Sequence, residues 1–168
     1  EDISFDIEKD FILGEQIKYD TDFRYRTFGQ NSTWDVYAGV LFQANSSGNI
    51  RGIDIKLPPP RLIISDGSIV WDNSHLFQIL IYGNLNSSGT AVDLLYSDNI
   101  SVNTQGWYHI DVDDELLVNS GGEFFIVYQI QNGTYDIYVD NDEKNLSNRS
   151  YFYNGSNYEL IDFGNITL

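Results

Sequence analysis

Apolar and polar residues alternate through most of this chain, and that regularity fixes its structural class. Near the start, Ile3, Phe5, Ile7, Phe11 and Leu13 occupy odd positions, with Asp2, Ser4, Asp6, Glu8 and Asp10 between them. Successive side chains of an extended strand point to opposite faces, so this stretch reads as a strand with one apolar and one acidic face. Ile17, Tyr19, Phe23 and Tyr25 resume the alternation beyond Gly14. Further strands are predicted over 36–43, 50–57, 61–64, 68–71, 76–82, 91–96, 107–112, 123–131, 134–139, 150–153, 158–163 and 165–168. Turn clusters at 45–48, 84–89, 120–122 and 131–133 separate them, and Asn132-Gly133 between two apolar runs predicts a hairpin. Pro58-Pro59-Pro60 lacks three successive N–H donors and predicts a rigid crossover between sheets. No stretch sustains a helical period. The whole reads as all-β: a jelly-roll-like β-sandwich with an N-terminal amphipathic strand.

A chain of 168 residues, 42% apolar and 15% aromatic, is long enough for one domain with a proper core. Residues 1–35 form an N-terminal strand segment and 36–168 the sandwich domain. Net charge is −16 with nine Lys and Arg, which argues against nucleic acid and against an anionic membrane surface. Cations, neutral sugars and other protein chains are left as partners. Without cysteine the fold must rest on its core or on neighbours in an assembly. Without methionine, Glu1 reads as the first residue of an exported chain whose signal peptide has been removed. No apolar run approaches the eighteen or so residues of a membrane span, so membrane insertion is not expected.

Nine of the sixteen asparagines open an Asn-X-Ser/Thr triplet without Pro at X: Asn31, Asn45, Asn86, Asn99, Asn132, Asn145, Asn148, Asn154 and Asn165. With fifteen Ser and seven Thr in the chain, chance would supply about two. The excess points to an extracellular or cell-surface chain carrying covalent N-linked glycans. Most of the triplets fall in the polar connections, where a sugar can face solvent.

Catalysis is not expected. The two histidines are His75, in a polar turn, and His109, inside an alternating strand packed on one side. A zinc site would need more imidazole or thiolate ligands than these, and no Gly-X-Ser-X-Gly elbow is present. Calcium is the better-supported cofactor. Asp140, Asp142 and Glu143, followed by Asn145, gather hard oxygen ligands in one short loop, and Asp111, Asp113, Asp114 and Glu115 form a second cluster. Neither matches the twelve-residue EF-hand loop, and a solvated acidic loop is the plainer reading of both. Trp71, Trp107, Tyr151 and Tyr153 are candidates for stacking on sugar rings. Trp34, Trp71 and Trp107 also adjoin strand cores, where burial is the commoner fate of a tryptophan.

The order of features from Tyr37 to Leu168 resembles a domain of bacterial and archaeal secreted and surface proteins. The resemblance is carried by Ala38-Gly39-Val40-Leu41-Phe42, by Ile50-Arg51-Gly52-Ile53-Asp54-Ile55 and by Phe77-Gln78-Ile79-Leu80-Ile81-Tyr82-Gly83-Asn84. It continues through Gly106-Trp107-Tyr108-His109-Ile110-Asp111-Val112, Gly122-Glu123-Phe124-Phe125-Ile126-Val127 and Arg149-Ser150-Tyr151-Phe152-Tyr153. It implies a jelly-roll-like extracellular module without catalysis. In architecture, a glycosylated all-β unit led by an amphipathic strand is similar to the subunits of archaeal extracellular filaments: threads, bundling pili and cannulae. That likeness implies identical subunits joined by strand exchange, with Ile3, Phe5, Ile7 and Phe11 filling a neighbour's groove. Two alternatives stand beside it. Residues 3–13 pair within their own domain, as N-terminal strands commonly do, or the domain is a non-catalytic carbohydrate-binding or adhesion module.

Overall fold

The computed structural model describes residues 25–28, 36–57, 61–72, 74–130, 137–140 and 149–160. Their regular structure is all strand: β1 (Tyr25–Phe28), β2 (Val36–Gln43), β3 (Gly48–Leu57), β4 (Arg61–Ser65), β5 (Ser68–Asp72), β6 (Ser74–Leu85), β7 (Ala91–Asn103), β8 (Gly106–Val118), β9 (Glu123–Ile130), β10 (Ile137–Asp140), β11 (Ser150–Tyr153) and β12 (Tyr158–Leu160). Six of them form an antiparallel sheet in the order β12-β11-β2-β9-β6-β7. Strands β3 and β8 pair antiparallel, as do β4 with β5 and β1 with β10.

Two antiparallel sheets pack as a sandwich. Phe77, Ile79 and Ile81 of β6, Ile100 of β7 and Phe124 of β9 meet Ile53 and Leu57 of β3 and Ile110, Val112 and Leu116 of β8. Each of these side chains is buried, and each contributes about 1.5–3 kcal/mol by leaving water. Alternation places them. On β8 the even positions 108, 110 and 112 turn inward, while Trp107, His109 and Asp111 face out.

The six-stranded sheet is apolar on its other face as well. Leu80, Phe125, Val127 and Tyr158 form a second core, flanked by Tyr37, Leu41, Tyr82, Leu85, Ala91 and Tyr151. Burial on both faces accounts for the near-continuous apolar runs 79–82 and 124–128, where the alternation lapses. The β6–β7 hairpin helps to cover this core. Strand β6 pairs with β9 only from Phe77 to Tyr82, and the β6–β7 register shifts between Ile81 and Tyr82. Beyond that bulge the hairpin forms an arm reaching to the far edge of the sheet, where Tyr158 N–H donates to Gly89 O at 2.7 Å. Under the arm the Phe125 ring stands edge-on to Tyr158 and Tyr151, at centroid distances of 4.9 and 5.7 Å. It lies over Gly39, where any Cβ would overlap it.

Several expectations change. The strand predicted at 91–96 runs on to Asn103, and the one at 107–112 runs from Gly106 to Val118. Strand β8 was harder to read because Arg51 alone stands opposite 112–115, a bulge that interrupts the period. The Asn132-Gly133 turn lies outside the described residues. Both edges of β9 are occupied, by β2 and β6, and the strand after it, β10, pairs with β1. His75 lies in β6, not in a turn, and is 4% exposed. Residues 3–13, Trp34 and Pro58-Pro59-Pro60 lie outside the described residues.

Candidate functional site

Four of the nine triplet asparagines fall on described residues, and all four are exposed: Asn45, Asn86, Asn99 and Asn154. Asn45 is in the β2–β3 turn, whose carbonyl accepts the Ser120 hydroxyl at 2.9 Å. Asn86 opens the turn at the tip of the arm. Its Oδ1 accepts the Ser88 and Thr90 N–H groups at 3.0 and 2.9 Å and the Ser88 hydroxyl at 2.7 Å. Asn154 opens the β11–β12 turn, where its Oδ1 accepts the N–H groups of Ser156 and Asn157, both at 2.9 Å. Its Nδ2 donates to the Glu159 carboxylate. In both turns the asparagine carboxamide mimics a backbone carbonyl, so one residue shapes the turn and presents the acceptor. Asn99 departs from the expected pattern, standing mid-strand in β7. Asn31, Asn132, Asn145, Asn148 and Asn165 lie outside the described residues.

The two tryptophans of the sugar-stacking set are exposed, against the expectation of burial. Trp71 on β5 is 73% exposed and Trp107 on β8 is 49% exposed. Lys56 Nζ stands 5.5 Å from the Trp107 ring centroid, a cation–π contact. Tyr151 is half-buried against Phe125, and Tyr153 packs on Tyr37 and Tyr158. The four residues belong to three different sheets, so they do not make one platform.

A group that sequence reasoning missed lies beside Trp107. His109 Nδ1 is 2.8 Å from Asp54 Oδ1 across the β3–β8 ladder, and its Nε2 is 3.3 Å from Asp111. Both strands were legible, but the register pairing Asp54 with His109 was not. The hydrogen bond to Asp54, with Coulomb attraction from both carboxylates, raises the His109 pKa above its ordinary 6.5 against a smaller lowering by burial. A raised histidine pKa means that this contact's stability is complete below the unfolded value. It is lost as pH rises through the folded value. Exposure keeps it small, under about 1 kcal/mol. An NMR titration is expected to place the His109 midpoint above 6.5, and Asp54→Asn to lower it. A midpoint unchanged by that substitution would remove Asp54 as the cause.

The calcium candidates fall partly on described residues. Asp140 ends β10, Asp142 and Glu143 lie outside the described residues, and Asp111 is engaged with His109. Among the described residues no group of three or more His, Asp or Glu is placed to hold a metal. No helix among them is long and apolar enough to cross a membrane. No family model, curated protein or solved structure matches this chain. What the fold establishes is an all-β, sandwich-like class.

Proposed function

We propose that the protein is a structural subunit of an extracellular, N-glycosylated surface filament or sheath, assembled by strand exchange between identical subunits. The observation that carries the reading is the excess of Asn-X-Ser/Thr triplets, which nine of the sixteen asparagines open. The four described ones are exposed, as a glycan requires, although the other described asparagines are exposed as well. On this reading the chain is exported, has no catalytic role and binds neither nucleic acid nor membrane.

Strand exchange has a physical basis. Among the described residues six strands face a β3–β8 pair, and β10 adjoins β3. Ile3, Phe5, Ile7 and Phe11 would fill an apolar groove while the backbone satisfies an open ladder. Four such plugs, at about 1.5–3 kcal/mol each, supply several kcal/mol before the cost of ordering the strand. The jelly-roll form of the sandwich belongs to the same proposal, supported by the early strand β2 lying between the late strands β9 and β11. Subunits of net charge −16 would also need cations, calcium among them, between their acidic faces. A second reading, a carbohydrate-binding or adhesion module, draws on the exposure of Trp71 and Trp107.

Removing residues 1–13 from the glycosylated protein tests the first reading. Electron microscopy and sedimentation are expected to show filaments for the full chain and a folded monomer for the truncated one. A full chain that is itself a stable monomer, and that unfolds on truncation, would place the strand in its own sandwich and favour the binding module.

A further inference from the structure

Asn86 and Asn154 each open an Asn-X-Ser triplet, and in each the carboxamide oxygen closes the turn. Both residues are exposed, so access to solvent does not separate them. What differs is the amide nitrogen. The Asn154 carboxamide is held at both ends. Its Oδ1 accepts the Ser156 and Asn157 N–H groups, while its Nδ2 donates to the Glu159 carboxylate on β12. At Asn86 only the oxygen is engaged. It accepts the Ser88 and Thr90 N–H groups and the Ser88 hydroxyl, and among the described residues Nδ2 makes no hydrogen bond.

We propose that, in transfer to the folded chain, Asn86 is the member of this pair that receives sugar and that Glu159 keeps Asn154 largely bare. The co-substrate class is a lipid-phosphate-activated oligosaccharide. In the transfer, the Nδ2 lone pair forms the bond to the sugar's anomeric carbon. The bond from that carbon to the phosphate oxygen breaks, its electron pair leaves with the phosphate, and one Nδ2 proton passes to a base of the transferase. A carboxamide nitrogen shares its lone pair with the carbonyl, so it becomes nucleophilic only as the planar group twists about its C–N bond. Asn154 cannot twist without giving up its bond to Glu159, because its oxygen is fixed to the turn backbone and its nitrogen to a side chain of the next strand. That bond has an ionised acceptor, which makes it roughly twice as strong as a neutral one. The Asn86 nitrogen has no such anchor. Its triplet hydroxyl, Ser88, already stands against the carboxamide at 2.7 Å. Both triplets end in serine, so the contrast does not come from the third residue. The proposal deepens the glycoprotein part of the reading above and rests on it, not on strand exchange.

Peptide mass analysis of the native glycoprotein, and of variants made in the same host, provides the test. The ratio of modified to bare peptide is expected to be about tenfold higher at Asn86 than at Asn154. Glu159→Ala keeps both triplets and releases the Asn154 nitrogen. It should raise the Asn154 ratio by about tenfold and leave that of Asn86 unchanged. Glu159→Gln, which offers an uncharged acceptor, should fall between. Asn86 serves as the internal control: if Glu159→Ala raised both sites by unfolding the chain, Glu159→Gln would decide. Equal ratios at the two sites in the native protein, or an Asn154 ratio that neither variant moves, would overturn the proposal. So would a bare Asn86 beside other modified acceptors. Each of those results leaves the glycoprotein reading standing, whereas bare asparagine at all nine acceptors defeats that reading as well.

Discussion

Replacing Gly39 with alanine is expected to lower the melting temperature by roughly 4–10 °C, the equivalent of about 2–3 kcal/mol in a domain of this size. The new methyl group would occupy the space of the Phe125 ring, overlapping its Cζ and Cε2 atoms. The ring cannot simply swing away. Phe125 is fully buried, with Tyr158 and Tyr151 edge-on to it. Relief must come from separating β2 from β9 or from an off-rotamer phenylalanine, and both disturb the middle of the sheet. Phe125→Ala removes the same contact by leaving a cavity, at about 3–5 kcal/mol. The pair gives a sharper test than either alone. Gly39→Ala with Phe125→Leu is expected to cost less than the sum of the two single changes, because the smaller side chain makes room for the methyl. Strict additivity in denaturant unfolding would show that the overlap is not the source of the loss.

The positions of these residues show what the sequence could and could not reveal. The strands themselves were legible because period-two alternation is a local property: β2, β4, β5 and β11 lie where the pattern places them. Strand β6 was legible for a different reason. Its apolar run on both faces marks a strand buried on two sides, although not that one of those sides is a second core under a folded arm. That arm depends on a bulge at Ile81/Tyr82 and on a hydrogen bond between Gly89 and Tyr158, residues far apart in the chain. Turn propensity is likewise local and does not tell which strand edges are taken: β9 lies between β2 and β6, and β10 pairs with β1. The acceptor asparagines were legible as triplets. That Asn86 and Asn154 shape their own turns, and that Asn99 stands mid-strand in β7, required the structure. The Asp54–His109–Asp111 group was hidden for the same reason.

The arm supplies the second large effect. Gly89 has φ 77°, and a Cβ there would overlap the carbonyl oxygen of Tyr158. Alanine therefore meets two penalties at one residue: a left-handed conformation costing about 1–2 kcal/mol, and a steric clash with backbone that cannot rotate away. Unlike Gly39, this residue sits at the tip of a hairpin, so the structure can escape by undocking the arm rather than by unfolding. Gly89→Ala is expected to leave the main core intact while the Tyr158 amide loses its protection from hydrogen exchange by about ten- to a hundredfold. The Tyr158 phenol provides an independent readout. Burial, with smaller contributions from Tyr82, Tyr37 and Tyr153, raises its pKa far above the ordinary 10.0. The folded protein thus resists ionising this group while the unfolded chain does not. Its stabilising effect is complete below pH 10 and is lost as pH rises from the unfolded value toward the folded one. With the arm undocked, water reaches the ring and the phenol should titrate closer to its ordinary value. The alkaline fall in stability should shrink with it. If Gly89→Ala instead left Tyr158 titrating as in the parent, the second core would be closed by the sheet alone and the arm would be incidental to it.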